Sequence, residues 1–85
     1  MKKDGKMGFD PEISLGEIVH RYFPGGHYNS FYYYRRIGLI WDGERRGKMK
    51  VFDRLKIKTR FEIIRGYSTL GYTLPEIAKI LKNGI

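Results

Sequence analysis

The chain has 85 residues, enough for one small domain, and its 41% hydrophobic and 15% aromatic content is too apolar for a disordered tail. It has no cysteine, which excludes disulfides, zinc fingers and thiol nucleophiles, and no apolar run long enough for a membrane span or a signal peptide. We therefore expect a cytoplasmic protein. Seventeen Lys and Arg against nine Asp and Glu give a net charge of +8, which predicts a polyanionic partner.

Most of this charge lies in one segment. Residues 35–65 contain 11 basic and four acidic residues, a net charge of +7. The basic residues are Arg35, Arg36, Arg45, Arg46, Lys48, Lys50, Arg54, Lys56, Lys58, Arg60 and Arg65. The concentration favours nucleic acid over an anionic membrane as the partner, and a solvated surface kept for solubility is the alternative.

The chain begins with a polar segment, and residues 1–13 are predicted to be a flexible tail before a domain over residues 14–85. Ser14-Leu15-Gly16-Glu17 is a Ser-x-x-Glu capping box, which predicts that the first helix begins here. Apolar residues at helical spacing continue to Tyr22, and Phe23-Pro24-Gly25-Gly26 ends the helix.

A second short helix is predicted over residues 27–37, with Gly38 ending it. Phe31 and Tyr34 share one face of this helix. The opposite face carries amide, phenol and guanidinium groups, which belong to Asn29, Tyr32, Tyr33 and Arg36.

A β-hairpin is predicted next. Leu39-Ile40-Trp41 and Lys48-Met49-Lys50-Val51-Phe52 suit its two strands, and residues 42–47 suit a polar loop with Arg45 and Arg46 at its tip. In the second strand, Lys48 and Lys50 are expected to point outward, and Met49 and Val51 inward.

Two further helices complete the chain. Asp53 is a suitable N-cap for a helix over about residues 54–69, with an apolar side formed by Ile57, Phe61, Ile64 and Leu70. Gly71 caps its end, and Thr73-Leu74-Pro75-Glu76 is a capping box for the last helix, which ends near Asn83.

These elements predict a mainly α fold with a small β-hairpin wing, in the order helix-helix-hairpin-helix-helix, which is a winged helix-turn-helix. In such a unit the second helix enters the DNA major groove and the hairpin reaches the flanking backbone. The candidate DNA-binding residues are His27, Tyr28, Asn29, Ser30, Tyr32, Tyr33, Arg35, Arg36, Arg45, Arg46, Lys48 and Lys50. The residues form no catalytic or metal-binding set, so we predict no enzymatic activity and no cofactor.

Residues 14–81 resemble the DNA-binding domain of MerR-type transcription regulators. The similar segments are Ser14-Leu15-Gly16-Glu17-Ile18, Tyr33-Tyr34, Arg36-Ile37-Gly38-Leu39-Ile40, Arg45-Arg46-Gly47 and Leu70-Gly71-Tyr72-Thr73-Leu74-Pro75-Glu76-Ile77. The resemblance implies sequence-specific binding to double-stranded DNA by a small transcription regulator.

The chain also departs from that family. Asn29 and Tyr32 stand where the family commonly has arginine, and Lys50 where it favours arginine. The family's long dimerising helix and effector domain have no counterpart among these residues. We therefore expect a monomer away from DNA, with cooperative contacts only on DNA and no small-molecule effector site.

Individual residues carry different expectations. Asn29 and Tyr32 are expected to meet base edges, and His27 and Tyr33 to meet phosphates. Substitution of Arg45 or of Arg46 is expected to weaken binding to the preferred duplex and to random duplexes about equally. We expect Tyr34 to pack in the interior and Trp41 to pack in the wing. We also expect Arg54 or Lys56 to lie near DNA.

Four alternatives remain open at this point. An excisionase-like recombination factor or a phage packaging subunit would bind and bend DNA as an architectural protein. A MerR-like protein-interaction module would bind DNA weakly or not at all. A small RNA-binding protein fits less well, because A-form RNA hides its major groove from a helix.

Overall fold

The computed structural model describes residues 10–83. Its elements in chain order are β1 (Glu12–Ser14), α1 (Leu15–Tyr22), a 3-10 turn (Pro24–Gly26), α2 (Tyr28–Arg36), β2 (Glu44–Arg46), β3 (Met49–Asp53), α3 (Arg54–Thr69) and α4 (Leu74–Lys82). The strands form one antiparallel sheet in the order β1-β3-β2. The predicted mainly helical fold with a small β element is thereby confirmed.

The helix starts follow the predicted caps. The Ser14 hydroxyl accepts from the amide of Glu17 at 3.2 Å, and the Asp53 carboxylate accepts from the amide of Lys56 at 2.9 Å. The return bond of the capping box predicted at Ser14 does not form, because the Glu17 carboxylate binds Arg21 and Arg54 instead. At α4 both bonds of the predicted capping box form between Thr73 and Glu76, at 2.8 and 3.3 Å. Each such cap contributes about 1 kcal/mol to a helix, so these three starts are locally encoded.

The N-terminal boundary differs from the prediction. Glu12–Ser14, two of whose residues were assigned to the flexible tail, form β1 on one edge of the sheet. Ile13 pairs with Phe52 and is fully buried in the core. The rest of the predicted tail, residues 1–9, lies outside the described residues.

The hairpin also forms at a different place from the one predicted. Leu39 and Ile40, predicted to lie in its first strand, are buried in the core within a connecting segment. The first strand is instead Glu44–Arg46, so Arg45 and Arg46 lie in a strand and not at the tip. The tip is the two-residue turn Gly47-Lys48, where Gly47 has a φ of 61°, the conformation that hairpin turns of this length require.

The connecting segment passes very close to β3. A Cβ at Gly43 would lie 2.7 Å from the Phe52 ring and 2.8 Å from the carbonyl oxygen of Val51, so only glycine fits there. Trp41 lies beside the same ring, with centroids 6.2 Å apart, which confirms its predicted packing role. Met49, predicted to point inward, is 54% exposed because the core covers only the part of β3 that follows it.

The core joins all four helices to the sheet. Its fully buried side chains include Ile18 of α1, Phe31 of α2, Ile57 of α3 and Ile77 of α4. Leu70, predicted to continue the apolar side of α3, lies beyond its end and is 75% exposed. Between residues 10 and 83, the four helices are too short or too polar to cross a bilayer.

Candidate nucleic-acid interface

Helix α2 is fixed by one buried side chain and exposes most of the others. Phe31 is fully buried, with its ring centroid 6.0 Å from that of Phe52 and 6.3 Å from that of Phe23. Beside it only Tyr34 packs against the core from this helix, so the opposite side of α2 faces solvent. The exposed candidates are His27, Tyr28, Asn29, Ser30, Tyr32 and Arg36, and the half-buried ones are Tyr33 and Arg35.

Tyr34 lies on the inner side of α2, which confirms its predicted packing role. Its ring centroid is 4.9 Å from that of Phe23 and 6.1 Å from that of Phe61. Burial raises the pKa of the Tyr34 phenol. Tyr33 is therefore the tyrosine of this adjacent pair that can reach a partner.

The arginines of α2 lie over its tyrosines. The guanidinium carbon of Arg36 is 5.5 Å from the ring centre of Tyr33, and that of Arg35 is 6.0 Å from the ring centre of Tyr32. These distances are within the range of cation–π attraction, which holds each guanidinium against a tyrosine of the preceding turn. The outer side of α2 thus presents aromatic rings and positive charge together.

Tyr28 connects the start of α2 to α1. A Cβ at Gly16 would lie 3.4 Å from the Tyr28 hydroxyl, so this side chain reaches back over the first turn of α1. Its ring centroid is 6.4 Å from that of Tyr32. Tyr28 and Tyr32 therefore form one exposed aromatic strip along α2.

The hairpin divides its basic residues between the two faces of the sheet. Arg45 is paired with Lys50, and Arg46 with Met49. Since successive side chains of a strand point to opposite faces, Arg45, Lys50 and Phe52 share one face. Phe52 packs on Phe31 of α2, so Arg45 and Lys50 lie on the side of the sheet that faces α2. Arg46 lies on the opposite side.

Two carboxylates neutralise Arg46. Its guanidinium donates to both oxygens of Glu12, at 2.9 and 2.6 Å, and to Glu44 at 3.2 Å. The hydrogen bond to Glu12, followed by that to Glu44, raises the pKa of Arg46. Arg46 therefore ties β1 to β2. Arg45 and the turn residue Lys48 are exposed and have no carboxylate partner among residues 10–83.

One acidic residue joins α2 to the hairpin. Asp42 Oδ1 accepts from Arg35 Nη1 at 3.0 Å and also from the ammonium group of Lys50. The hydrogen bond from Lys50 is the main cause that lowers the pKa of Asp42, with Arg35 adding to it. Asp42 is not among the candidate residues predicted from the sequence, where its only signal is that it is the single acid between α2 and β2.

We call the exposed side chains of α2, together with Arg45, Lys48 and Lys50, the α2–hairpin surface. Arg54, predicted to lie near DNA, does not belong to it. Its guanidinium donates to the carbonyl oxygens of Asp10 and Glu12 at 2.6 and 2.9 Å, and to both carboxylate oxygens of Glu17. The hydrogen bond from Arg54 is the main cause that lowers the pKa of Glu17. Arg54 is thus a structural clamp between β1, α1 and α3.

Arg60 of α3 is also used inside the molecule. Its guanidinium donates to the carbonyl oxygen of Leu39 at 2.7 Å and lies 5.5 Å from the ring centre of Trp41. These contacts hold the buried segment between α2 and the hairpin. The other predicted DNA-proximal residue of α3, Lys56, is exposed.

Comparison with known proteins adds no relative: the chain matches no protein-family model, no curated protein and no solved structure. Within residues 10–83, no three His, Asp or Glu side chains come together as metal ligands.

Proposed function

We propose that this protein is a winged helix-turn-helix that binds double-stranded DNA sequence-specifically, as a small cytoplasmic transcription regulator of the MerR type. The observation that carries the proposal is the α2–hairpin surface. A helix with only one fully buried side chain presents amide, phenol and guanidinium groups, and a basic hairpin lies with Arg45 on the same side. An α-helix of this kind fits the major groove, where each base pair has a distinct pattern of donors and acceptors.

In this proposal the residues divide into those that distinguish bases and those that hold the backbone. Asn29 and Tyr32 are exposed on the outer side of α2, and an amide can pair with adenine through two hydrogen bonds. Phosphates would be met by Tyr33 and Arg36 of α2 and by the hairpin cations Arg45 and Lys48. His27, exposed at the start of the helix, offers a further hydrogen-bonding group.

Arg46, which is paired with two acids, contributes less to DNA binding. Arg46 is held by Glu12 and Glu44, so it would stabilise the hairpin and add little to the attraction for DNA. In the MerR-like segment Arg45-Arg46-Gly47, Arg45 would thus bind DNA and Arg46 would stabilise the hairpin. The monomeric state is part of the proposal, because Ile77 and Ala78 of α4 are buried in the core of this domain.

Selection of bound sequences from random duplex DNA tests the proposal. We expect enrichment of one short motif, since a single module of this size covers one half-site. The same selection with Asn29→Ala should lose the preference at one position, and the selection with Arg45→Ala should recover the same motif at lower yield. Duplex RNA serves as the control and should yield no enriched motif, since its major groove excludes a helix. Absence of any enriched DNA motif would contradict sequence-specific binding.

A further inference from the structure

The contact that joins α2 to the hairpin brings together three charged groups. Two cations from different elements, Arg35 and Lys50, converge on one oxygen of Asp42. Arg35 lies in the last turn of α2, and Lys50 lies on the face of β3 that is turned toward α2. Both elements belong to the surface that we propose for DNA.

The oxygen that the two cations share occupies the position of an anion. A guanidinium and an ammonium group converging on one anionic oxygen are the donors that proteins use for phosphate. Asp42 is 67% exposed, whereas the side chains of Arg35 and Lys50 are 36% and 28% exposed. The carboxylate is thus the outer member of the group, and exposed ion pairs of this kind contribute little to stability.

We propose that Arg35 and Lys50 form a subsite for a backbone phosphate, and that Asp42 occupies this subsite in the free protein until DNA displaces it. This inference rests on the proposed DNA-binding function and adds a device that sets its strength. Asp42 competes with the phosphate for the same two donors, so it lowers the affinity for every duplex, whatever the sequence. It also keeps the two cations in place while DNA is absent.

Arg46 shows why the Asp42 contact differs from a clamp. Glu12 binds Arg46 through both oxygens, and Glu44 adds a third contact. A phosphate would have to replace all three contacts there, whereas at Arg35 and Lys50 it replaces one contact of each donor. We therefore assign the replacement of a carboxylate by a DNA phosphate to Asp42 and not to the acids around Arg46.

The test compares Asp42→Asn with Glu44→Gln in fluorescence anisotropy titrations of a labelled DNA duplex. Both variants remove one negative charge from an equally exposed acid at the hairpin, at 67% and 69% exposure, but only Asp42→Asn releases Arg35 and Lys50. We expect Asp42→Asn to bind about five-fold more tightly, with a salt slope steeper by about one, as release of one further counterion requires. Glu44→Gln should change the affinity by less than about two-fold, because Arg46 keeps its two contacts with Glu12 on the opposite side of the sheet and the remaining effect is screened long-range attraction.

A second pair of variants, Lys50→Gln with and without Asp42→Asn, tests the subsite even if Asp42→Asn alone folds poorly. Lys50→Gln alone should weaken duplex binding and flatten the salt slope, and adding Asp42→Asn to Lys50→Gln should restore less affinity than it adds to the unmodified chain. If Asp42→Asn binds no better than Glu44→Gln, or binds more weakly than the unmodified chain, the subsite is overturned while the proposed function stands. If the unmodified chain shows no salt-dependent duplex binding, both proposals fail together.

Discussion

Positive charge is used differently in two neighbouring regions of this molecule. On α3, the guanidinium groups of Arg54 and Arg60 donate to backbone carbonyl oxygens at distances down to 2.6 Å and hold the fold together. On the α2–hairpin surface, Arg36 lies on an aromatic ring and Arg45 is exposed without a carboxylate partner among residues 10–83. Within one basic segment, some cations thus hold the fold together and others can bind a partner. The hydrogen-bond partners of each cation distinguish the two kinds.

The largest expected effect concerns Arg54. Arg54→Gln should lower the free energy of unfolding by about 2 kcal/mol, because a charged donor to two carbonyl oxygens and to Glu17 is lost. Urea unfolding followed by circular dichroism measures this loss. Lys58→Gln, an exposed change on the same helix, is the control and should alter stability by less than about 0.5 kcal/mol. If folded Arg54→Gln also lost duplex affinity as strongly as Arg36→Gln, the division between the two regions would be wrong.

The next effect concerns base recognition by α2. Asn29→Ala should weaken binding to the preferred duplex by about 1–3 kcal/mol and leave binding to random duplex nearly unchanged, since a base contact gives discrimination and little general affinity. Titration of both duplexes by anisotropy measures the difference. The opposite pattern, in which hairpin substitutions change the sequence preference and Asn29→Ala does not, would exchange the roles of the helix and the hairpin.

The two adjacent arginines of β2 sharpen the comparison within one strand. Arg45→Ala should weaken binding to preferred and random duplexes alike and reduce the magnitude of the salt slope by about 0.9, the value for one phosphate contact. Arg46→Ala should leave that slope unchanged, because Glu12 and Glu44 already neutralise this guanidinium, and should lower stability only slightly, because its ion pairs are exposed. This revises the expectation that Arg46→Ala, like Arg45→Ala, weakens binding to both duplexes. A loss of affinity for both duplexes in Arg46→Ala as large as that in Arg45→Ala would restore it.

The smallest effect concerns acid pH. Arg54 lowers the pKa of Glu17 below its ordinary value of 4.5, so the stability that this pair contributes is present above pH 4.5 and is lost as the pH falls through the lowered value. Arg21 also faces this carboxylate and acts in the same direction. In urea unfolding at a series of pH values, Glu17→Gln should lose less stability below pH 4.5 than the unmodified chain. Glu62→Gln, on the exposed side of α3, should behave like the unmodified chain.

The helices could be predicted because their signals are local. The caps at Ser14, Asp53 and Thr73 determine three helix starts within a few residues of sequence, and α3 has the predicted bounds. The sheet could not be predicted in the same way. β1 has three residues, too few to show an alternating pattern, and it exists through pairing with β3, which lies far along the chain. The apolar pair Leu39-Ile40 was ambiguous because a short buried run suits a strand or a loop equally.

The candidate site was predictable in part for the same reason. The exposed side of α2 follows from helical geometry once Phe31 is placed inside, so its outer residues could be named from spacing alone. The partners of the cations could not. Arg46 reaches Glu12, which lies 34 residues away in sequence, and only the arrangement of the strands brings the two together. The opposite placement of Arg45 and Arg46 likewise depends on the register of the hairpin.

The salt dependence of duplex binding tests the central claim most directly. If α2 and the hairpin meet the DNA backbone together, about four to six phosphates are neutralised, and log affinity should fall with log salt concentration with a slope of about −4 to −5. The measurement uses the unmodified chain and a labelled duplex, titrated at a series of salt concentrations. A slope in that range is the result that we predict. An affinity that does not change with salt would contradict DNA binding by the α2–hairpin surface.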